Sequence, residues 1–315
     1  MVDSMDQGQL LRQVRKALQQ EDYPLAIEGL IQAASLARAA RDAAAEGRHL
    51  GNLALIYHRL RQPEEALNCF QEALRLARQE NDRLTEDGIL GNMGNILREM
   101  GRHAEAIEHL NQALLIAQEI GDGRGRGIWL SNLGLVYDDL GLYAEAIDVH
   151  RESVNVARLM RDQRSLVSRL IHLGDSYLVS GQSTEAIKCY HEVVALHRGL
   201  GETQAAAYRT AHIGSVYGEL GRTSGTDFEA RFYYELARDT YIDALNMARE
   251  VDDTAAEGDF LSSLGVVLGN MGDYDQAIQH FEAAYRLFQQ INLLDRLPQL
   301  EENLALAHNL RSQAI

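Results

Sequence analysis

Several residue groups have the type and spacing that chemistry would need. The stretch 121–127, GDGRGRG, has the glycine density of a phosphate loop, with Arg124 and Arg126 to supply charge. A nucleotide loop follows a strand and continues into Gly-Lys-Ser/Thr. Neither feature is present, and the stretch falls where similar segments are joined. His172 and His212 stand forty residues apart, and His191 and His197 six apart. Neither pair has the HExxH spacing and no third ligand is evident, so no metal site is expected. Asp138–Asp139 and Glu64–Glu65 are neighbouring carboxylates, but acid/base work needs a pocket that raises one pKa. Cys69 and Cys189 do not form a CxxC pair, and two cysteines alone cannot hold zinc. No Gly-x-Ser-x-Gly elbow occurs. The expectation is a protein that is not an enzyme, with no catalytic residue, no metal and no cofactor.

Binding chemistry is better represented. Asn52, Asn92 and Asn132 recur at intervals of forty. An asparagine amide offers both a donor and an acceptor, which suits the N–H and C=O of an extended peptide whatever its side chains. Asparagine is also a mediocre helix former, so its return at one place has a cost.

The elements that carry these residues repeat. SNLGLVYDDLGLYAEAI begins at Ser131, GNMGNILREMGRHAEAI at Gly91 and GNLALIYHRLRQPEEAL at Gly51. The small residue of the motif falls at Ala54, Gly94, Gly134, Gly174, Gly214 and Gly265, in steps of forty until a last step of fifty-one. Self-similarity at such a period marks a repeat architecture. The units are 11–50, 51–90, 91–130, 131–170, 171–210, 211–261 and 262–301, with a closing helix at 302–315, and the whole chain 1–315 is expected to be one array. Each unit reads as two helices. Leu130, Leu133, Tyr137 and Leu140 form an apolar stripe at three- and four-residue spacing, and Gly141 ends the helix as a left-handed glycine does. Ala146, His150, Ser153, Val154 and Ala157 form the second stripe. Gly134 and Ala146 are small enough to let two helices approach closely. Stacked helices lie ~8–10 Å apart, so Cys69 and Cys189, at equivalent positions three units apart, exceed the about 7 Å reach of a disulfide.

This wording resembles the tetratricopeptide repeat, over roughly 11–315. The matching residues are Leu133–Gly134, the tyrosines Tyr57, Tyr137, Tyr177 and Tyr217, the turn glycines Gly101, Gly141, Gly181, Gly221 and Gly272, and the alanines of the second helices. The forty-residue period resembles the branch typified by the Pins/LGN adaptors and, less closely, kinesin light chains. The resemblance implies an all-α, right-handed superhelical solenoid of about seven helix pairs plus a C-terminal capping helix. The first unit departs from the pattern, with Val14 and Ala17 for glycine and tyrosine. The last helix has Glu301 and His308 where others have leucine and tyrosine or leucine, as capping units with a polar outer face require. The sixth unit carries eleven extra residues around TSGTDFEARFYYELA. Eleven residues are about three turns, so a lengthened second helix over 227–249 is expected. Its overhang bears Phe228, Phe232, Tyr233 and Tyr234, which either pack on neighbouring units or dock a partner.

Nearest-neighbour stacking makes a concave groove lined by the first helices. The stripe offset from the Leu/Gly/Tyr stripe contains Arg48, Asn52, Leu55 and Arg59, then Asn92, Asn95 and Glu99, then Ile128, Asn132, Leu135 and Asp139. His172, Asp175, His212, Glu219 and Asp259 continue it, and Arg12 and Arg15 precede it. The candidate peptide-binding residues are Arg48, Asn52, Arg59, Asn92, Asn95, Asn132, Asp139, His172, Asp175 and His212. In peptide-binding tetratricopeptide domains asparagines at this place commonly hold the ligand backbone, and the resemblance implies that role for Asn52, Asn92 and Asn132. The stripe begins basic and turns acidic, a polarity that fits a ligand charged in the opposite order.

Composition bounds the rest. The chain of 315 residues is 46% hydrophobic and 24% charged, with three prolines and a formal charge of -16. That charge disfavours nucleic acid and anionic lipid. No apolar run is long enough to span a membrane, and MVDSMDQGQL lacks a signal peptide's basic and apolar regions. The sequence reads as a cytoplasmic, non-catalytic interaction scaffold that takes a linear or disordered segment of a protein partner. The alternatives are a sensor that receives a small peptide or metabolite inside the superhelix, and a self-assembling structural protein, which leaves a homo-oligomer open.

Overall fold

The computed structural model describes residues 7–314. Among them every regular element is helical. The pairs are α1 (Gln7–Gln19) with α2 (Tyr23–Ala39), α3 (Ala43–Arg59) with α4 (Pro63–Gln79), α5 (Arg83–Glu99) with α6 (His103–Ile120), and α7 (Gly123–Asp139) with α8 (Tyr143–Met160). Then come α9 (Gln163–Val179) with α10 (Ser183–Gly199), α11 (Thr203–Thr223) with α12 (Asp227–Glu250), and α13 (Thr254–Asn270) with α14 (Tyr274–Gln290). A 3₁₀ turn (Leu294–Arg296) leads into α15 (Leu297–Gln313). The two helices of each pair pack together, so the seven pairs and closing helix read from the sequence are present; the closing helix starts earlier than expected. The described residues fall into two compact units, one up to Asp162 and one from Gln163, divided at the link between α8 and α9.

The backbone repeats at half the sequence period. Left-handed residues stand at 21, 41, 61, 81, 101, 121, 141, 161, 181 and 201, then at 252, 272 and 292. Each lies just past a helix end, where that conformation satisfies the last carbonyls. Glycine occupies six of these positions. Glu21, Arg41, Arg61, Asn81, Arg161, Asp252 and Asn292 hold the others, at a conformational cost that glycine avoids. Many first helices then start on an aspartate. Asp42 accepts from the Ala45 N–H at 2.9 Å, Asp82 from Thr85 at 3.1 Å and Asp253 from Ala256 at 3.0 Å. These caps satisfy otherwise orphaned amides.

The motif glycines do more than permit close approach, although at Gly94 a Cβ would also lie 3.3 Å from the Ala106 carbonyl of the partner helix. Each leaves room for a large side chain sixteen residues later on the partner helix. A Cβ at Gly94 would lie 2.6 Å from Leu110, at Gly174 2.5 Å from Tyr190 and at Gly265 2.6 Å from Phe281, while one at Gly134 would enter the His150 ring. In the sixth unit the occupant is Tyr241, displaced by the insertion. Leu110, His150, Tyr190 and Phe281 are all buried.

The insertion is shared between two helices. The first helix α11 has 21 residues and α12 has 24, where the usual length is 17. Gly221, expected to end the first helix, lies inside α11, and a Cβ there would meet Tyr234 at 2.7 Å. The chain turns instead at residues 224–226, with Thr226 capping α12 through the Glu229 N–H. Four added residues in α11 and seven in α12 are each close to whole turns, so both helices keep their buried faces.

Candidate functional site

In the first unit the offset stripe of the first helices remains accessible. Arg48, Asn52, Leu55 and Arg59 of α3 are all exposed; Asn92, Asn95 and Asn132 are half-buried and Asp139 is exposed. Two of these asparagines are already engaged within α5. Asn92 Nδ2 donates to the Gly88 carbonyl at 2.8 Å and Asn95 Nδ2 to Glu99 Oε1 at 3.1 Å. Each keeps an amide oxygen that accepts. At one edge of this face, polar side-chain contacts tie α3 to α5 and α5 to α7. His58 meets Glu99 at 2.8 Å, between α3 and α5, and Arg98 meets Asp139 at 3.0 Å, between α5 and α7. Asp139 is thus part of the frame between helices. Nearer the start, Val14, Leu18, Tyr23, Leu30, Asn52, Leu55, Ile56 and Arg59 line an open hollow of about 360 Å³ between α1, α2 and α3.

The second unit presents a different constellation. Asp175 of α9 accepts from the Tyr190 hydroxyl at 2.6 Å. The His212 ring lies 4.8 Å from the Tyr190 ring, and the Arg209 guanidinium lies 5.0 Å from the centroid of that same Tyr190 ring. Arg209 Nη1 donates to His212 Nδ1 at 3.0 Å. Burial and the Asp175 hydrogen bond push the Tyr190 hydroxyl up, and burial followed by Arg209 pushes His212 down from the usual imidazole range. The arrangement therefore favours a neutral imidazole. His172 lies half-buried on the neighbouring α9. Tyr190 and Arg209 were not singled out in the sequence; the signal available was Tyr190's spacing of sixteen from Gly174.

Two buried polar groups of the first unit were also missed. Trp129 Nε1 donates to Asp87 Oδ1 at 2.7 Å. Burial and the nearby Asp122 carboxylate push Asp87 up to about 6. His150, read only as part of an apolar stripe, is fully buried and meets Asp138 at 3.0 Å. The glycine-rich stretch is the start of α7, where Asp122 accepts from the N–H groups of Arg124 and Gly125 at 3.0 Å. Its own carboxylate thus stands where a bound anion would. Arg126 is paired with Glu152. Among the described residues no three His, Cys, Asp or Glu side chains gather to hold a metal. Cys69 and Cys189 are free thiols, and among the described residues no helix is long and apolar enough to cross a membrane.

The overhang divides by accessibility. Tyr234 is buried and Tyr233 half-buried, whereas Phe228 is 83% and Phe232 52% exposed.

The tetratricopeptide repeat profile matches residues 17–79, 86–158 and 229–290, more than half of the chain. The chain belongs to the tetratricopeptide repeat family. No curated protein matches its sequence. As a tetratricopeptide repeat protein it is similar to RapI in its apo form, with a TM-score of 0.62 at 13% identity over 91% of this chain and 99% of that one. A Rap protein complexed with Competence and Sporulation Factor gives 0.56 at 16% identity, over 96% and 78%. Repeats of a putative kinesin light chain from Podospora anserina give 0.54 at 19% identity, over 63% and 99%. At these identities the likeness speaks for the tetratricopeptide fold alone.

Proposed function

We propose that this tetratricopeptide repeat protein is a non-catalytic scaffold whose first unit holds an extended segment of a partner protein on the face of α3, α5 and α7. The observation that carries this reading is the accessible row Asn52, Asn92 and Asn132, one per first helix. Arg48 and Arg59 at one end favour acidic ligand residues, and Leu55 and Ile128, 46% and 40% exposed, offer apolar contact between the amides. Asn92 is poised to accept a peptide N–H through Oδ1, since its own N–H is directed to Gly88. Asn95 and Asp139 flank the row. In the second unit, Asp175 and His212 act through the Tyr190–Arg209 cluster beside His172, forming a separate polar subsite.

The test is capture of partners from a native lysate by the full chain and by an Asn92→Ala/Asn132→Ala variant with unchanged helicity and melting. A partner segment mapped on peptides should bind the variant at least about ten-fold more weakly, a loss of about 1.4 kcal/mol. Equal binding by both proteins would remove the asparagine row from the site.

A second reading draws on the Rap protein that is complexed with Competence and Sporulation Factor. By analogy this chain would receive a small ligand and change its curvature. That reading requires a ligand-dependent change in radius of gyration by small-angle scattering, which a docking face does not.

A further inference from the structure

The lengthened sixth pair and the hollow at the start of the chain have opposite surfaces. The first turns of α12 carry Phe228 and Phe232 on one helix face, four residues apart, and both rings are largely in solvent. Around them stand Asp227, Glu229 and Glu235, and Arg231 on the same turns is directed to Glu235 at 3.3 Å. This is an apolar knob in an acidic setting. The hollow between α1, α2 and α3 is its complement. Its lining is Val14, Leu18, Leu30, Asn52, Leu55 and Ile56, and its rim holds Tyr23 with the Arg59 guanidinium 5.4 Å over the ring and 3.5 Å from Glu21. Leu18 and Leu55 are 39% and 46% exposed. The exposed residues Arg12, Arg15, Lys16 and Arg48 stand on the same two helices. Between residues 7 and 62 the chain has eight Lys/Arg and five Asp/Glu, against a net charge of -16 overall. A cavity of about 150 Å³ already admits a benzene ring, and the hollow offers about 360 Å³.

We propose that the Phe228–Phe232 knob of one copy seats in the α1–α3 hollow of a second copy, giving a head-to-tail contact between copies of this chain. Because knob and socket are different surfaces, the contact is heterologous, and a dimer still offers one free knob and one free socket. Ring burial supplies the attraction. The basic rim facing Asp227 and Glu229 sets the orientation and makes the contact weaken with salt. The socket shares Asn52, Leu55 and Arg59 with the docking face, so a seated knob competes with a partner segment at that end of the row, whereas Asn92 and Asn132 lie outside the socket and their substitution leaves copy association unchanged.

The test is the mass of the full chain by sedimentation velocity and light scattering across concentration and salt. Wild type should grow with concentration and dissociate at high salt. Phe228→Ser/Phe232→Ser removes the knob, and Leu18→Glu blocks the socket. Each should be monomeric alone, and an equimolar mixture should form a one-to-one dimer that grows no further, because it retains one knob and one socket in register. Should Leu18→Glu lose helicity, Arg12→Glu/Arg15→Glu replaces it, and its association should return with an Asp227→Arg/Glu229→Arg partner. A wild-type monomer at every concentration up to the solubility limit would overturn the proposal. So would association that survives loss of the phenylalanines, or association that the socket variants leave intact.

Discussion

At the scale of single residues, the decisive interactions are the buried polar groups and the glycine seats that receive bulky partners. Asp87 is 1% exposed and its proton is held up to about pH 6, against the ordinary 3.8. Between those values the unfolded chain has released the proton while the folded chain retains it, so stability falls as pH rises through that window. About two pKa units correspond to roughly 3 kcal/mol as an upper order of magnitude. Asp87→Asn keeps an acceptor for the Trp129 N–H and adds a donor toward Asp122. It should therefore raise stability at pH 7, by about 1–3 kcal/mol, and flatten urea midpoints between pH 4 and pH 6. A variant less stable than wild type at pH 7 would show that Asp87 is ionised and wanted so. The seats make an opposite prediction. Gly174→Ala pushes a methyl to 2.5 Å from Tyr190 and should cost about 1–3 kcal/mol by overpacking. Arg61→Gly, at a φ of 59°, should be neutral or stabilising by up to about 1 kcal/mol, as urea melts would report. The seat residues were visible in the sequence as a forty-residue series of glycines. What they receive was not, because Leu110, His150, Tyr190 and Phe281 share a position and a shape requirement but no chemistry.

At the scale of elements, the forty-residue repeat is carried by helices of near-equal length and by turns that recur every twenty residues. The insertion tests how strictly that spacing is needed. Its eleven residues were legible as an addition that preserves helical phase, and the span of α12 was close to the 227–249 expected. The division between α11 and α12 was not legible, since Leu220–Gly221–Arg222 has the wording of every other turn. The structure resolves this through Tyr234, which occupies the seat at Gly221 and keeps that glycine helical. Deleting Thr223–Tyr233 joins Arg222 to Tyr234 and yields LGRYELA, the counterpart of LGLYAEA at 140–146. Gly221 should then become the left-handed turn residue, with Tyr241 still opposite Gly214. The shortened chain should remain soluble and melt cooperatively, with helical circular dichroism reduced only in proportion to the residues removed. Insolubility or loss of cooperative melting would mean that the insertion is needed for packing beyond its own pair. The deletion also removes Phe228 and Phe232, so it should abolish concentration-dependent mass as well.

At the scale of the whole chain, helices that touch mainly their sequence neighbours make stability a sum of local terms and neighbouring interfaces. A local defect should then weaken its own region most. The chain supplies a natural reporter: its one tryptophan, Trp129, is 7% exposed in the first unit, whereas circular dichroism reads the helices of both. Gly265→Ala places a methyl 2.6 Å from Phe281 in the second unit. It should lower the circular-dichroism midpoint, broaden that transition, and leave the Trp129 fluorescence midpoint nearly unchanged. Gly94→Ala, 2.6 Å from Leu110 in the first unit, should lower the Trp129 midpoint directly. The comparison isolates coupling from local damage because both substitutions overfill the same kind of seat. Coincident transitions in both variants would mean that the chain unfolds as one cooperative body. In that case a ligand on either unit would stabilise both equally. Separated transitions would instead let a partner bound across α3, α5 and α7 raise the Trp129 midpoint while the second unit melts as before.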